Sequence, residues 1–184
     1  MINALRKLPQ PILLGMNGVA FYLSMLFYTF SIVGAMATLE GMGFVMLLVW
    51  SSIFMIVLSA LLAKLLVYVA YRVSGGVFIR KSGMLYPFPI RYDEFTRTVL
   101  SFSFLCFILC AIVELPVLFL PTLSRVLGAV RSLVMWTFLF LGAHHLVRAY
   151  GHDYDRKSLA TALSVIPFVL VSVTLALTIW EVAA

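Results

Sequence analysis

Three long stretches of this chain carry no charged residue, and they constrain the fold more than any other feature of the sequence. They are residues 8–39, 41–63 and 158–180, and a fourth stretch, 98–113, is uncharged up to Glu114. The hydrocarbon core of a bilayer is about 30 Å thick, and a helix needs roughly 20 apolar residues to cross it. The stretches are apolar on every side, whereas membrane β-strands alternate apolar and polar residues. The pattern predicts an all-α, polytopic integral membrane protein.

The composition supports the same class. Hydrophobic residues make up 64% of the chain and charged residues 11%, and the mean hydropathy is +1.12. Soluble domains are roughly half apolar. The connectors between the apolar stretches are too short to bury a hydrophobic core of their own. We therefore predict a single membrane domain over residues 13–184, preceded by a tail over residues 1–12.

A bundle of five transmembrane helices is predicted, at about residues 13–34, 43–71, 98–119, 127–148 and 159–180. Lys and Arg are concentrated in the N-terminal tail, in the connector 72–97 and in the connector before the last span. The first connector and the C-terminus have none, and the third connector has Arg125. By the positive-inside rule, the N-terminus and the basic loop 72–97 are cytoplasmic and the C-terminus is outside.

The sequence shows no catalytic, cofactor or metal-binding pattern. It has no glycine-rich phosphate loop, no nucleophile elbow and no pair of carboxylates within one helical turn of a span. Cys106 and Cys110 are its only cysteines, and their spacing of one helical turn suits packing better than metal binding. The net charge of +6 is scattered over helix ends and loops, which does not favour nucleic acid. We expect a non-enzymatic protein without cofactor, metal or nucleic-acid partner.

Glu114 interrupts an apolar run two residues before Pro116. It lies late in the third span, and therefore near the edge of the bilayer core. A charge at the bilayer centre costs about 2.5–3.5 kcal/mol, and pairing reduces this cost. We expect an ion pair with Arg125 or Arg131 that holds the third and fourth spans together, although a gating or proton-carrying role is an alternative. Pro116 and Pro167 are expected to kink their helices, because proline cannot donate a backbone hydrogen bond.

A second group of polar residues is expected on the cytoplasmic side. Lys64 lies about two turns before the end of the second span, where its side chain can snorkel to the headgroups. If Lys64 faces inward instead, its depth matches that of His144 and His145 on the fourth span. The three residues then form a cationic or proton-exchanging cluster.

The loop 72–97 mixes basic with aromatic residues. We predict that Arg80, Lys81 and Arg91 form its contact surface for lipids or partners, because each Lys or Arg near anionic headgroups contributes about 1 kcal/mol. The aromatic part of the loop has two alternative placements: it lies on the headgroup layer, or it packs under the helix bundle.

Residues 61–170 contain an ordered set of motifs. A long helix ends in Gly75 and Gly76, basic residues and a Phe lead into the next span (EFTRTVLSFSF), and Pro116 falls late in that span. A Trp-containing helix (SLVMWTFLFLGAHHLVRAYG), a polar connector (HDYDRKSLATAL) and Pro167 follow. This order resembles the Yip domain family of polytopic membrane proteins. The resemblance implies five spans and a cytoplasmic N-terminus. The chain is most similar to the bacterial members of the family, which implies the inner (cytoplasmic) membrane.

Three functions follow as hypotheses. The first is a Yip-type membrane scaffold that acts on membrane organisation or trafficking through contacts with lipids, with other membrane proteins or with a second copy of the chain. The second is a small oligomeric transporter, channel or lipid-translocating unit that depends on Glu114. The third is an accessory subunit of a larger membrane complex.

Overall fold

The computed structural model describes residues 1–33, 42–83, 87–120 and 124–165. Within these ranges all regular secondary structure is helical. The helices are α1 (Ile2–Leu5), α2 (Gln10–Val33), α3 (Met42–Ser82), α4 (Tyr92–Glu114), α5 (Ser124–Tyr150) and α6, which begins at residue 156 and is described to residue 165. A single 3-10 turn, Leu115–Leu118, follows α4. The predicted all-α class is confirmed for the described residues.

Three of these helices contain segments long and apolar enough to cross a membrane. They are Ser52–Ser82, Tyr92–Glu114 and Val126–Tyr150, and a shorter apolar helix covers Gln10–Leu26. Ser52–Ser82 has 31 residues, and at 1.5 Å per residue it is about 46 Å long. Because this length exceeds a bilayer core of about 30 Å, α3 tilts or projects beyond the hydrocarbon. The chain is therefore a membrane-embedded helical protein.

The region predicted as the loop 72–97 is mostly helical. Helix α3 continues past residue 71, through Gly75 and Gly76, to Ser82, and α4 already begins at Tyr92. Gly83 ends α3 because its φ of +63° lies in the left-handed region, which glycine adopts at little cost. Asp93 and Glu94 lie in the first turn of α4, where negative charge is favourable at the positive end of the helix dipole. The predicted loop is thus reduced to the short connector between α3 and α4.

Helices α2 and α4 form the most extensive pair of the bundle. Helix α3 packs mainly against α2, and α5 packs mainly against α4. The α2–α3 contact is close at Gly18, where an added Cβ would lie 2.8 Å from the carbonyl oxygen of Ile56. Ser59 donates a hydrogen bond to the carbonyl oxygen of Gly18 itself at 3.4 Å. Small residues thus bring these two backbones together, as is common between membrane helices.

An aromatic cluster joins the end of α3 to the start of α4. We call Tyr71, Phe78, Phe88 and Phe95 the aromatic clamp. The ring centroids of Phe78 and Phe88 are 5.7 Å apart, and those of Tyr71 and Phe95 are 5.3 Å apart. Phe78 and Phe95 are buried, and the Tyr71 hydroxyl donates to the carbonyl oxygen of Ile90 at 2.8 Å. Phe88 and Ile90 of the predicted aromatic loop thus pack against the helices, while its residues 84–86 lie outside the described part of the chain.

Candidate functional site

Glu114 and Arg131 form an ion pair in the interior of the bundle. Arg131 Nη1 lies 3.1 Å from Glu114 Oε1, and their side chains are only 12% and 2% exposed. Ser24 on α2 donates to Glu114 Oε2 at 3.4 Å. We call Ser24, Glu114 and Arg131 the Glu114 node. It connects α2, α4 and α5, whereas the sequence predicted a link between α4 and α5 only.

Arg131 is thus one of the two partners that the sequence proposed for Glu114. The side chain of the other, Arg125, lies outside the described part of the chain. Cys110, one turn before Glu114, lies with its Sγ 3.9 Å from the backbone oxygen of Arg131. Cys106 and Cys110 are both buried free thiols. The described residues include no group of three His, Cys, Asp or Glu side chains that could hold a metal ion.

Pro116 sets the position of Glu114 at the end of α4. The α-helix ends at Glu114, and the chain tightens into the 3-10 turn that contains Pro116. Phe119 and Leu120 donate their backbone N–H groups to the Pro116 carbonyl at 3.1 and 3.0 Å. The sequence predicted a kink within a continuing span, but the proline instead follows the last α-helical residue. Pro167, the other predicted kink, lies outside the described residues.

Asn17 forms a second polar contact between helices. Its side chain is 1% exposed. Its Nδ2 donates to the carbonyl oxygens of Leu13 at 2.9 Å and of Leu100 at 2.8 Å. Its Oδ1 accepts a hydrogen bond from Ser103 Oγ. Sequence reasoning did not single out Asn17, although an amide inside the uncharged stretch 8–39 was a signal that it needs a partner.

The N-terminal segment is bound to the bundle through Arg6. Arg6 Nη2 donates to Glu94 Oε1 at 2.8 Å, and Arg6 Nη1 lies 3.0 Å from His145 Nε2. The ring of His145 also lies 5.8 Å from that of Phe102. Residues 1–12, predicted as a tail, therefore contribute α1 and a charged contact that joins α4 to α5.

The structure does not bring Lys64 together with His144 and His145. Lys64 is exposed on α3, and among the contacts of the described residues none joins it to either histidine. His145 instead contacts Arg6, while His144 is exposed and lines a separate pocket with Arg148. The physical reason is that Lys64 lies on α3, which packs mainly against α2, whereas both histidines lie on α5, which packs mainly against α4. The two histidines also face different surroundings, because adjacent helical residues point about 100° apart.

An apolar cavity of about 270 Å³ lies among α3, α4, α5 and α6. Its lining includes Val73, Thr98, Phe102, Phe138, Gly142 and Leu163. The cavity borders both α3 and α5. Helix α3 packs mainly against α2 and helix α5 mainly against α4, so α3 and α5 do not fill the space between them. The space between α3 and α5 is thus mainly apolar here.

Arg80, Lys81 and Arg91 are exposed at one end of the bundle. Arg80 and Lys81 lie in the last turn of α3, and Arg91 directly precedes α4. Phe78 of the aromatic clamp is 2% exposed and lies one turn or less from Arg80 and Lys81. The clamp therefore fixes the helix end that carries these cations.

No protein-family model matches this chain, and neither a curated protein nor a solved structure does.

Proposed function

We propose that this chain is a non-enzymatic membrane scaffold of the Yip domain type, which acts on membrane organisation or trafficking through protein and lipid contacts. The observation that carries the proposal is that two buried polar residues of the described bundle, Glu114 and Asn17, contact partners on other helices. Glu114 is engaged by Arg131 and Ser24, and Asn17 by two backbone carbonyls and Ser103. Polar groups used in this way hold membrane helices in one arrangement.

The proposed topology has five spans, a cytoplasmic N-terminus and an external C-terminus in the bacterial inner membrane. It is supported by the distribution of Lys and Arg among the connectors. The motif order over residues 61–170, which resembles the Yip domain family, supports the same topology.

The proposed contact surface is formed by Arg80, Lys81 and Arg91. It is supported by their exposure and by the aromatic clamp beneath them. A helix end that is already fixed loses little backbone entropy when its cations bind, which favours attachment to an anionic surface. The partners are anionic lipids, other membrane proteins or a second copy of the chain.

Replacing Arg80, Lys81 and Arg91 together with Gln is expected to weaken the capture of anionic vesicles by more than about tenfold, because each cation near an anionic surface contributes about 1 kcal/mol. The protein is held in nanodiscs of phosphatidylcholine, and the capture of vesicles rich in phosphatidylserine is measured. The charge-matched control replaces Lys7, Arg72 and Lys157, which are exposed elsewhere. Equal capture by the two triple variants would show that this surface is not the contact site.

A further inference from the structure

A second basic site lies where α5 ends and α6 begins. It is a pocket of about 340 Å³ lined by His144, Val147, Arg148, His152 and Arg156. His144 and Arg148 lie four residues apart on α5, which brings their side chains to one face of the helix, and His152 follows in the turn after it. Four of the five lining residues are basic, and they come from α5, from the connector and from the first turn of α6.

Arg156 is held in place at the wall of this basic pocket. Its Nε donates to the carbonyl oxygen of Gly151 at 2.7 Å, and its Nη2 lies 3.1 Å from His152 Nδ1. Gly151 permits this arrangement, since an added Cβ would lie 2.6 Å from the carbonyl oxygen of Val147 and 2.9 Å from Arg156 Cγ. The guanidinium is therefore positioned by one backbone contact and one side-chain contact before any ligand binds.

The nearby acidic residues do not neutralise the basic pocket. Asp155 accepts hydrogen bonds from the backbone N–H of Lys157 at 3.1 Å and from Ser158 Oγ at 2.6 Å. These bonds hold the pKa of Asp155 below its usual value, so it stays a carboxylate that caps α6. Asp153 is exposed and does not line the pocket. Arg148 and Arg156 thus leave the pocket with net positive charge.

We propose that the basic pocket binds a phosphate group, supplied by the headgroup of an anionic phospholipid or by free inorganic phosphate. Guanidinium groups match phosphate because their planar N–H fork donates two parallel hydrogen bonds to its oxygens. The pocket lies at the end of the candidate span Val126–Tyr150, where a membrane helix reaches the headgroup layer. This site is separate from Arg80, Lys81 and Arg91 and does not depend on the function proposed for them.

The test measures binding of short-chain phosphatidic acid to the full-length protein in a neutral detergent, with phosphatidylcholine as the lipid that lacks net charge. We expect Arg148→Gln and Arg156→Gln each to lower the affinity for phosphatidic acid by about tenfold or more, since each removes a charge-assisted hydrogen bond. The matched controls, Lys7→Gln and Arg72→Gln, remove one positive charge at exposed positions outside both basic sites and leave this affinity unchanged. Binding of phosphatidylcholine stays weak in every variant.

Arg148→Gln keeps the test independent of folding, because Arg148 is exposed and the hydrogen bonds that position the pocket belong to Arg156. Unchanged affinity in Arg148→Gln, or an equal loss in the Lys7 and Arg72 controls, overturns the proposal. Added inorganic phosphate distinguishes the two sources, since displacement of the lipid identifies free phosphate and persistence identifies the headgroup. Vesicle capture retained by Arg148→Gln, but lost by the triple variant at Arg80, Lys81 and Arg91, separates the two sites.

Discussion

Replacing Arg131 with Met is expected to lower the free energy of unfolding by about 3–5 kcal/mol, because the Glu114 carboxylate is then buried without its cation. Glu114 is 2% exposed, so water cannot replace the lost partner. The hydrogen bond from Ser24, at 3.4 Å, is too long to compensate for a full charge. The measurement is reversible unfolding of the purified protein in mixed micelles, followed by its change in helicity.

The double variant Glu114→Gln with Arg131→Met is expected to be more stable than Arg131→Met alone, because no buried charge remains. A double-mutant cycle over the four proteins gives the coupling energy of the pair. Arg148→Met is the matched control on the same helix, and since Arg148 is exposed its effect should stay within about 0.5 kcal/mol. Additive losses in the double variant would contradict a direct pairing of Glu114 with Arg131.

Phe78→Ala is expected to cost about 3–5 kcal/mol, as is typical for truncating a buried aromatic side chain. Phe78 is 2% exposed, and its ring packs 5.7 Å from that of Phe88 and 6.2 Å from that of Tyr154. Without it, the end of α3 loses its contact with the connector and with the segment before α6. Hydrogen exchange in residues 72–82 should accelerate, and the capture of anionic vesicles through Arg80 and Lys81 should fall with it.

Ile79→Ala is the matched control for Phe78→Ala, because Ile79 is the next residue on the same helix but is 42% exposed. Its effect on exchange and on capture should be small. If both variants leave the exchange of residues 72–82 unchanged, the aromatic clamp does not fix the end of α3.

The long helices could be predicted from the sequence because their apolar stretches exceed the thickness of a bilayer. Their ends could not be predicted in the same way. Gly75 and Gly76 suggested the end of α3, but Phe78 two residues later is buried against Phe88, and this packing keeps the glycines helical. Tertiary contacts thus outweighed a local propensity of about 1 kcal/mol per glycine.

The partner of a buried polar residue could be predicted only where the candidates lie close to it in sequence. Glu114 had two candidate cations on the following hairpin, and Arg131 is the one that the described structure pairs with it. Arg6 and His145 are 139 positions apart, and Arg6 and Glu94 are 88 apart. Periodicity within a helix does not report which distant helix lies opposite, so these contacts and those of Asn17 were missed. The predicted last span, 159–180, lies within the described residues only to residue 165.

We propose that the buried charges of this protein hold its helices together and carry nothing across the membrane. The most direct test of this proposal is proton uptake by proteoliposomes that contain either the intact chain or Glu114→Gln, driven by an imposed pH gradient and membrane potential. We expect both to take up protons at the rate of protein-free liposomes. Uptake above that background by the intact chain, abolished by Glu114→Gln in a protein that remains folded, would contradict the claim and make Glu114 a proton carrier.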